Sequence, residues 1–200
     1  MTRAVGVLAL QGGYDAHIRA LRELGHQTIE VRKAEQFENL AGLVLPGGES
    51  TTQLKLIHRF KLADALNVFM ASGRPVLATC AGLILAAQRV QDPEQESFGW
   101  LDVDVRRNGW GRQVHSFEGY ADTDGPSFDA EEPLPLVFIR APRIVRTGDA
   151  VEVYARVKGE PVMVRAGHIW GATFHPELTA DRRVHRRVFG SDGTPKPSPT

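Results

Sequence analysis

The chain has 200 residues, which is the size of one compact domain or two small ones. Its 24 Lys and Arg residues balance 24 Asp and Glu residues, so the formal net charge is zero. A chain without an excess of basic residues is a poor candidate for binding nucleic acid or an anionic membrane surface. We therefore expect any recognition to be local, at a small site.

Cys80 is the only cysteine, so the chain can form neither an intramolecular disulfide nor a paired-cysteine metal or redox site. By itself, a lone cysteine is more often a buried, inert residue than a reactive one. The apolar stretch over 4–10 stops at Gln11-Gly12-Gly13 without a cleavage site, which argues against a signal peptide. No stretch reaches the roughly 18 apolar residues of a membrane span. We expect a cytoplasmic protein without a membrane segment.

The first half of the chain alternates strand-like and helix-like segments. Short apolar runs predict strands over 5–10, 28–31, 42–45 and 75–79. Apolar residues at helical spacing predict helices that end at Gly25 or extend over 62–70 and 81–89. This alternation favours parallel strands joined by crossover helices on both faces of a sheet.

After Asp92 the sequence alternates apolar and polar residues, which is typical of half-exposed antiparallel strands. The segments that resemble such strands are 101–105, 134–140, 151–155, 161–165 and 168–174. A last helix is predicted to begin near Pro176 or Thr179 and to continue to Phe189.

The expected fold is a single α/β domain over residues 1–189. Its central sheet is mostly parallel, with helices on both faces and an antiparallel extension. The remaining residues, 190–200, are polar and rich in proline, so we expect a disordered tail.

The first motif of chemical interest is Ala78-Thr79-Cys80-Ala81-Gly82, where a predicted strand meets a predicted helix. A nucleophile at such a turn stands above the edge of the sheet, and small neighbours are needed because the turn is tight. The N-terminus of the following helix offers N–H groups that favour a thiolate and stabilise an oxyanion. A buried cysteine in an ordinary strand-to-helix turn explains the same five residues, so this motif alone does not decide between the two.

The second motif is His175-Pro176-Glu177. Pro176 disfavours helix at His175, and in an extended chain residues two apart face the same way. Glu177 can then hold one tautomer of His175 while the other ring nitrogen faces a thiol. The alternative is a helix N-terminus with proline in its first position and a carboxylate in its first turn. One cysteine with this pair has too few ligands for a zinc site.

The third motif is Leu45-Pro46-Gly47-Gly48-Glu49-Ser50, which follows a predicted strand. Glycine amides can approach an anionic oxygen closely. The alternative is a turn followed by a helix in which Ser50 and Gln53 form a capping box. A serine can cap a helix while neighbouring amides bind a substrate, so both interpretations stay open.

These motifs belong to a larger set that extends over residues 6–189. The set consists of Gly6-Val-Leu-Ala-Leu-Gln-Gly12, Leu45-Pro-Gly-Gly-Glu-Ser-Thr51, Thr79-Cys-Ala-Gly-Leu-Ile-Leu85, Gly111-Arg-Gln113 with Ser116-Phe-Glu118, Phe138-Ile-Arg-Ala-Pro142 and Phe174-His-Pro-Glu-Leu-Thr179. Taken together it resembles the glutaminase subunits of pyridoxal 5′-phosphate synthase, a family of triad-type (class I) glutamine amidotransferases.

The resemblance implies a glutaminase that hydrolyses L-glutamine to L-glutamate and ammonia. It implies Cys80 as the nucleophile, His175 as the group that transfers the proton and Glu177 as the residue that orients His175. It implies an oxyanion hole formed by the amides of Gly48 and Ala81. The implied glutamine-binding positions are Gly48, Glu49, Ser50, Arg112, Ile139 and Arg140.

The resemblance also implies a partner, a separate barrel-type synthase subunit that receives the ammonia and makes pyridoxal phosphate. This chain itself would bind no cofactor and no metal. Ala78 departs from the family pattern, which usually has glycine there, and His115 stands where aspartate is common. These departures leave open how tight the turn is and which contact position 115 makes.

Two alternatives remain at this point. The chain could be a glutaminase of another biosynthetic pathway, which the Gly48-Glu49-Ser50 and Ile139-Arg140-Ala141-Pro142 motifs disfavour. It could instead be a catalytically silent interaction subunit, which the intact Cys80, His175 and Glu177 disfavour.

Overall fold

The structure is a computed structural model that describes residues 4–107, 109, 116–122 and 132–190. The strands among them are β1 (Ala4–Leu8), β2 (Thr28–Val31), β3 (Leu40–Leu45), β4 (Val76–Thr79), β5 (Ala87–Gln91), β6 (Leu101–Arg106), β7 (Ser116–Tyr120), β8 (Pro135–Ile139), β9 (Arg143–Thr147), β10 (Glu152–Val157), β11 (Glu160–Ala166) and β12 (Ile169–Ala172). The α-helices are α1 (Tyr14–Glu23), α2 (Ser50–Arg59), α3 (Ala63–Ala71), α4 (Ala81–Ala86) and α5 (Arg183–Phe189). Single 3-10 turns cover Ala34–Phe37 and Pro176–Leu178.

The main sheet has seven strands in the order β10-β11-β12-β4-β3-β1-β2. Neighbours from β12 to β2 are parallel, whereas β10 and β11 pair antiparallel at one end. The expected α/β fold, with a mostly parallel central sheet and an antiparallel extension, is therefore confirmed. Two smaller sheets, β5-β6-β9 and the hairpin β7-β8, lie outside the main one.

The inner parallel strands β1, β3, β4 and β12 contribute side chains to two separate hydrophobic cores. Leu43 and Leu45 of β3 belong to the core that also contains Ile57 of α2, whereas Val44 between them packs with Leu21 of α1. Because both faces of these strands are covered by helices, every residue of β1 and β4 is buried. Continuous apolar runs in the sequence predicted this burial correctly.

The predicted helix over 81–89 is wrong in its second half. The helix α4 ends at Ala86, and Ala87 adopts an extended conformation that starts β5, which pairs parallel with β6. The run from Leu83 to Ala87 is apolar throughout, so it suits a buried helix and a buried strand equally well. The sequence pattern therefore contained no signal for the boundary.

Four further expectations need correction. The segment 168–174 was expected to be a half-exposed antiparallel strand, but it contains β12, which is fully buried and parallel to β4. The first strand ends at Leu8 and not at residue 10. The segment 101–105 does form a strand, but in the separate sheet, where β6 is antiparallel only to β9. The last helix begins at Arg183, because Pro176 starts a single 3-10 turn that ends at Leu178.

Strands β7 and β9 were not predicted from the sequence. The predicted tail lies outside the described residues apart from Gly190, so both the tail and the domain limits stay predictions. None of the helices in the described ranges is long and apolar enough to cross a membrane.

Candidate functional site

The candidate site lies where several parallel strands of the main sheet end. Gln11 follows β1, the segment 46–50 follows β3, Cys80 follows β4 and His175 follows β12. The carboxyl ends of neighbouring parallel strands meet at one edge of a sheet, and ligands of open α/β sheets bind outside that edge. The topology thus brings together residues that are up to 164 positions apart, the separation between Gln11 and His175 (175 − 11).

Cys80 occupies a strained turn between β4 and α4. Its backbone has φ 46° and ψ −101°, a left-handed conformation that side-chain-bearing residues rarely adopt. The N–H of Cys80 donates to the carbonyl of Ala172 on β12 at 2.8 Å, which holds the turn against the sheet. A Cβ on Gly82 would overlap the carbonyl oxygen of Leu45, so the turn requires glycine there. The tight strand-to-helix turn expected around Cys80 is present.

His175 and Glu177 form a close, buried pair. His175 Nδ1 lies 2.7 Å from Glu177 Oε1, and both residues are less than a tenth exposed. The helix-start alternative is present as well, because Pro176 begins the 3-10 turn and Glu177 lies within it. Glu177 nevertheless faces the imidazole, so the two interpretations of the motif are compatible. The His175 ring passes directly over Gly47, where a Cβ would overlap ring atom Cε1.

The electrostatics of the pair favour opposite charges. Burial lowers the pKa of His175, but its hydrogen bonds with Cys80 and Glu177 outweigh burial and raise the pKa to about 10. Burial raises the pKa of Glu177, but the interaction with His17 and the hydrogen bond with His175 outweigh it and lower the pKa to about 2. An imidazole that lines the same cavity as a thiol and is hydrogen-bonded to a carboxylate through its other side is arranged to move a proton to and from that thiol.

The loop after β3 differs in detail from the expected capping box. The N-cap of α2 is Glu49, whose carboxylate accepts from the N–H groups of Thr51 and Thr52. Burial raises the pKa of Glu49, but the hydrogen bonds with these two residues outweigh it and lower the pKa to about 2. Ser50 is therefore the first helical residue, and a carboxylate replaces its hydroxyl as the cap because it reaches two N–H groups at once.

Gln53, the other residue of the expected capping box, instead connects two loops through hydrogen bonds. Its Nε2 donates to the carbonyl of Gln11 at 3.0 Å and to that of Pro46 at 3.2 Å. Gln11 in turn accepts from the N–H of Glu49 through Oε1 at 2.9 Å. The loops after β1 and β3 are therefore cross-linked beside the site.

A cavity of about 220 Å³ opens over Cys80. Its lining residues are Gln11, Gly48, Glu49, Ser50, Cys80, Ile84, Arg107, Ile139, Arg140 and His175. Of the residues singled out from the sequence, Gly48, Glu49, Ser50, Cys80, Ile139, Arg140 and His175 are thus brought together around one cavity. Ala81 follows Cys80 as the first residue of α4, and Glu177 lies behind His175. Arg112 and His115 lie outside the described residues.

Arg107 lines the cavity but was missed in the sequence. Its Nη2 lies 3.5 Å from Glu49 Oε1. Alternate residues of β6, among them Val103 and Val105, point into the core, whereas Arg106 is exposed and pairs with Asp92. Extending this alternation by one residue places Arg107 on the inner side, so the strand period could have identified it.

The cavity offers charges of both signs around a nucleophile. Arg107 and Arg140 can bind a carboxylate through their planar guanidinium groups, and Glu49 can bind an ammonium group. The combination of a thiol, a hydrogen-bonded imidazole and an orienting carboxylate is suited to acyl transfer from an amide or ester. In the described part of the chain, no three His, Cys, Asp or Glu side chains are grouped so that they could hold a metal ion.

Comparison with known proteins gives consistent results. A pyridoxal 5′-phosphate synthase subunit PdxT from Parafrankia sp. is 53% identical over 184 residues, which cover 91% of this chain and 89% of the relative. The protein of the same description from Frankia alni is 50% identical over 184 residues, 91% of each chain.

Among solved structures, one described as a glutamine amidotransferase aligns with a TM-score of 0.86 at 43% identity and covers 96% of this chain and 100% of its own. The structure of PurLQS from Thermotoga maritima aligns with a TM-score of 0.69 at 18% identity, which shows a shared fold only, over 94% of this chain and 98% of its own. Residues 7–190 match the SNO glutamine amidotransferase family. Since this match extends over most of the sequence, the chain belongs to the SNO glutamine amidotransferase family.

Proposed function

We propose that this chain is the glutaminase subunit of a pyridoxal 5′-phosphate synthase. It hydrolyses L-glutamine to L-glutamate and ammonia, and the ammonia passes to a synthase subunit. The proposal is supported by membership of a glutamine amidotransferase family and by two relatives described as PdxT subunits of that synthase. The observation on which it chiefly rests is the His175–Glu177 pair, 2.7 Å apart, next to Cys80 in the cavity.

The reaction proceeds in two halves. In the first, His175 takes up the proton of the Cys80 thiol, the sulfur attacks the side-chain amide carbon of glutamine, and the amides of Gly48 and Ala81 stabilise the oxyanion. His175 donates that proton to the departing nitrogen, so ammonia leaves and a thioester remains. In the second half, His175 accepts a proton from water and the hydroxide attacks the thioester. The proton then returns to the departing sulfur, which releases glutamate and restores Cys80. Glu177 keeps the imidazole in the required tautomer throughout.

The lining of the cavity fits the other end of glutamine. The substrate has an α-carboxylate and an α-ammonium group, and its net charge is zero. Arg107 and Arg140 are placed to bind the carboxylate and Glu49 to bind the ammonium group. Ser50, Gly48 and Ile139 complete the wall, and Arg112 remains a proposed ligand on the strength of the family resemblance alone. This distribution explains how a chain of zero net charge can still select a zwitterion.

The proposed partner is a barrel-type synthase subunit with which this chain forms a hetero-oligomer. A free cysteine as nucleophile is best maintained in a reducing compartment, so we place the complex in the cytoplasm. No cofactor is needed for the glutaminase half, because every step uses side chains and water.

The test is a glutamate-release assay with the full chain, alone and mixed with the synthase subunit of the same organism. We expect glutamate release from L-glutamine that increases on addition of the partner, and pyridoxal phosphate formation in the mixture with glutamine as the nitrogen source. Glutamate release without any complex or stimulation would contradict the pathway. A complex that releases no glutamate would indicate a silent interaction subunit.

A further inference from the structure

Behind the His175–Glu177 pair lies a cluster of buried polar side chains that the proposed reaction does not use. It contains His17 of α1, Thr79 at the end of β4 and His185 of α5, and all three have no exposed surface. Each belongs to a different element, and Glu177 of the 3-10 turn completes the cluster. Polar groups buried this deeply are retained in a fold only if they are hydrogen-bonded.

His17 is the centre of this cluster. Its Nε2 lies 3.2 Å from Glu177 Oε2 and 3.2 Å from Thr79 Oγ1, and its Nδ1 lies 2.9 Å from His185 Nε2. Glu177 Oε2 is fully buried and makes no aligned hydrogen bond with any group in the described ranges. The contact of that oxygen with His17 Nε2 at 3.2 Å is therefore electrostatic, without the alignment of a hydrogen bond.

The contacts determine which nitrogen atoms hold protons. An unprotonated ring nitrogen would face an ionised carboxylate lone pair to lone pair, so His17 Nε2, 3.2 Å from Glu177 Oε2, must hold its proton. The N–H is hydrogen-bonded to Thr79 Oγ1, and its positive end lies beside Glu177 Oε2. Burial lowers the pKa of His17, so the ring is neutral and its Nδ1 is an acceptor. His185 Nε2 must then donate to it, which leaves His185 Nδ1 as the buried nitrogen that has no partner among the described residues.

We propose that His17 is a positioning residue for the catalytic carboxylate: its Nε2–H holds Glu177, and through Glu177 it fixes the orientation of His175. This inference rests on the proposed glutaminase reaction and adds a residue to it. His185 has a supporting role, because its donor at Nδ1 of His17 selects the tautomer with the proton on Nε2.

The geometry explains why a histidine suits this position. Thr79 directly precedes Cys80, so one imidazole edge contacts both the strand that presents the nucleophile and the carboxylate that orients the base. Without this contact, the buried Glu177 Oε2 would lose the N–H that lies beside it, and the carboxylate would be held through Oε1 alone. Loss of orientation lowers the rate of the chemical step more than it lowers substrate binding, because His17 does not line the cavity.

The test compares His17→Leu with His17→Gln in the full chain, mixed with the synthase subunit and assayed for glutamate release. Leucine removes the donor, whereas the amide of glutamine can place an N–H close to the position of Nε2. We expect His17→Leu to lower kcat about ten- to a hundredfold with KM changed less than about twofold, the effect typical of residues that orient an active-site group. His17→Gln should keep kcat within about fivefold of the wild type.

His26 offers a matched control. It is also a buried histidine that does not line the cavity, and its Nε2 lies 3.0 Å from the carbonyl of Gly190, directly after α5. We expect His26→Leu to lower the melting temperature and leave kcat unchanged. If His17→Leu does not fold, His185→Leu replaces it, because it keeps the His17 ring and removes the donor that selects its tautomer. A lower kcat at unchanged KM in that variant supports the proposal.

The proposal is overturned if folded His17→Leu, or His185→Leu in its place, keeps the wild-type kcat. It is also overturned if His17→Gln loses as much activity as His17→Leu, or if His26→Leu lowers kcat equally. A wild-type complex that releases no glutamate would reject the glutaminase function itself, whereas an active wild type with an unaffected His17→Leu would reject only the role of His17.

Discussion

The backbone N–H of His175 donates to the carbonyl of Val137 on β8 at 2.8 Å. Two residues further along the same strand, the carbonyl oxygen of Ile139 lies 3.9 Å from Cys80 Sγ. The hairpin β7-β8 is separate from the main sheet, yet β8 contacts both His175 and Cys80, the proposed base and nucleophile. It therefore forms a wall of the site, and Arg140 directly follows it.

Replacement of the proposed nucleophile should abolish the reaction without affecting binding of the synthase subunit. We expect Cys80→Ala to abolish glutamate release, because neither His175 nor water replaces a thiol in forming the thioester. The circular dichroism spectrum and the binding of the synthase subunit should remain those of the wild type. Glutamate release by Cys80→Ala at more than a trace level would refute the assignment of the nucleophile.

The stability of the fold should depend on pH through the His175–Glu177 pair. The pKa of His175 is raised from 6.5 to about 10, so its stabilising contribution is complete below pH 6.5 and is lost as the pH rises towards 10. The pKa of Glu177 is lowered from 4.5 to about 2, so its contribution is complete above pH 4.5 and is lost as the pH falls towards 2. Burial also lowers the pKa of His17 and His185, which disfavours the folded state as the pH falls below 6.5.

Urea unfolding across pH 3 to 10 measures this dependence, with Glu177→Gln as the comparison. The variant lacks the acidic group, and His175 loses a partner that raises its pKa. We therefore expect the difference in unfolding free energy between the wild type and Glu177→Gln to be largest between pH 4.5 and 6.5 and to shrink on both sides. A difference that stays constant over the whole range would contradict the assigned charges. Glu177→Gln should also lower kcat, since an amide does not hold the imidazole as an ionised carboxylate does.

Binding of the substrate carboxylate is expected to depend on Arg107. Arg107→Gln removes a charged hydrogen-bonding group worth about 1.5–3 kcal/mol, so KM for glutamine should rise about ten- to a hundredfold. Arg106→Gln is the matched control, because Arg106 is adjacent in the chain but forms a surface ion pair with Asp92 at 3.0 Å. Steady-state kinetics of both variants give the KM values to be compared. Equal KM values in the two variants would remove Arg107 from the substrate site.

The close packing of α4 against β3 predicts a large effect of a single methyl group. A Cβ on Gly82 would overlap the carbonyl oxygen of Leu45, and backbone atoms at the end of a buried strand cannot move aside easily. We expect Gly82→Ala to destabilise the fold by about 3 kcal/mol, at the upper end of overpacking effects. Gly119→Ala is the control, since no atom lies within 4 Å of a Cβ there. Thermal unfolding of both variants provides the comparison, and equal melting temperatures would contradict the packing argument.

The sequence predicted the parallel part of the fold because buried parallel strands are continuous apolar runs. The meeting of Cys80 and His175 was expected from the His175-Pro176-Glu177 motif and the family resemblance. The pattern of 168–174 did not show that β12 is buried and parallel to β4, which brings both residues to one edge of the sheet. The boundary between α4 and β5 could not be predicted, because Ala86 and Ala87 are identical residues in an apolar run and only tertiary pairing with β6 separates helix from strand.

Side-chain roles were harder to predict than strand positions. Serine is a favoured helix N-cap and glutamate is not, so the sequence pointed to Ser50, and only the structure shows that Glu49 reaches Thr51 and Thr52. The role of Arg107 depends on the face of β6 on which it lies. The contact between His17 and Glu177 joins α1 to a segment 160 residues later (177 − 17), and no local pattern records such a contact.

The left-handed backbone of Cys80 has a consequence for how such a protein can be improved. A side-chain-bearing residue in this conformation costs about 1–3 kcal/mol, which glycine alone would avoid. Selection for thermal stability alone would therefore favour glycine at position 80, which gives a more stable protein without the thiol. If Cys80 is the nucleophile, as proposed, the strain is a cost of presenting the thiol, and a stabilised version of this enzyme has to obtain its gain elsewhere in the chain.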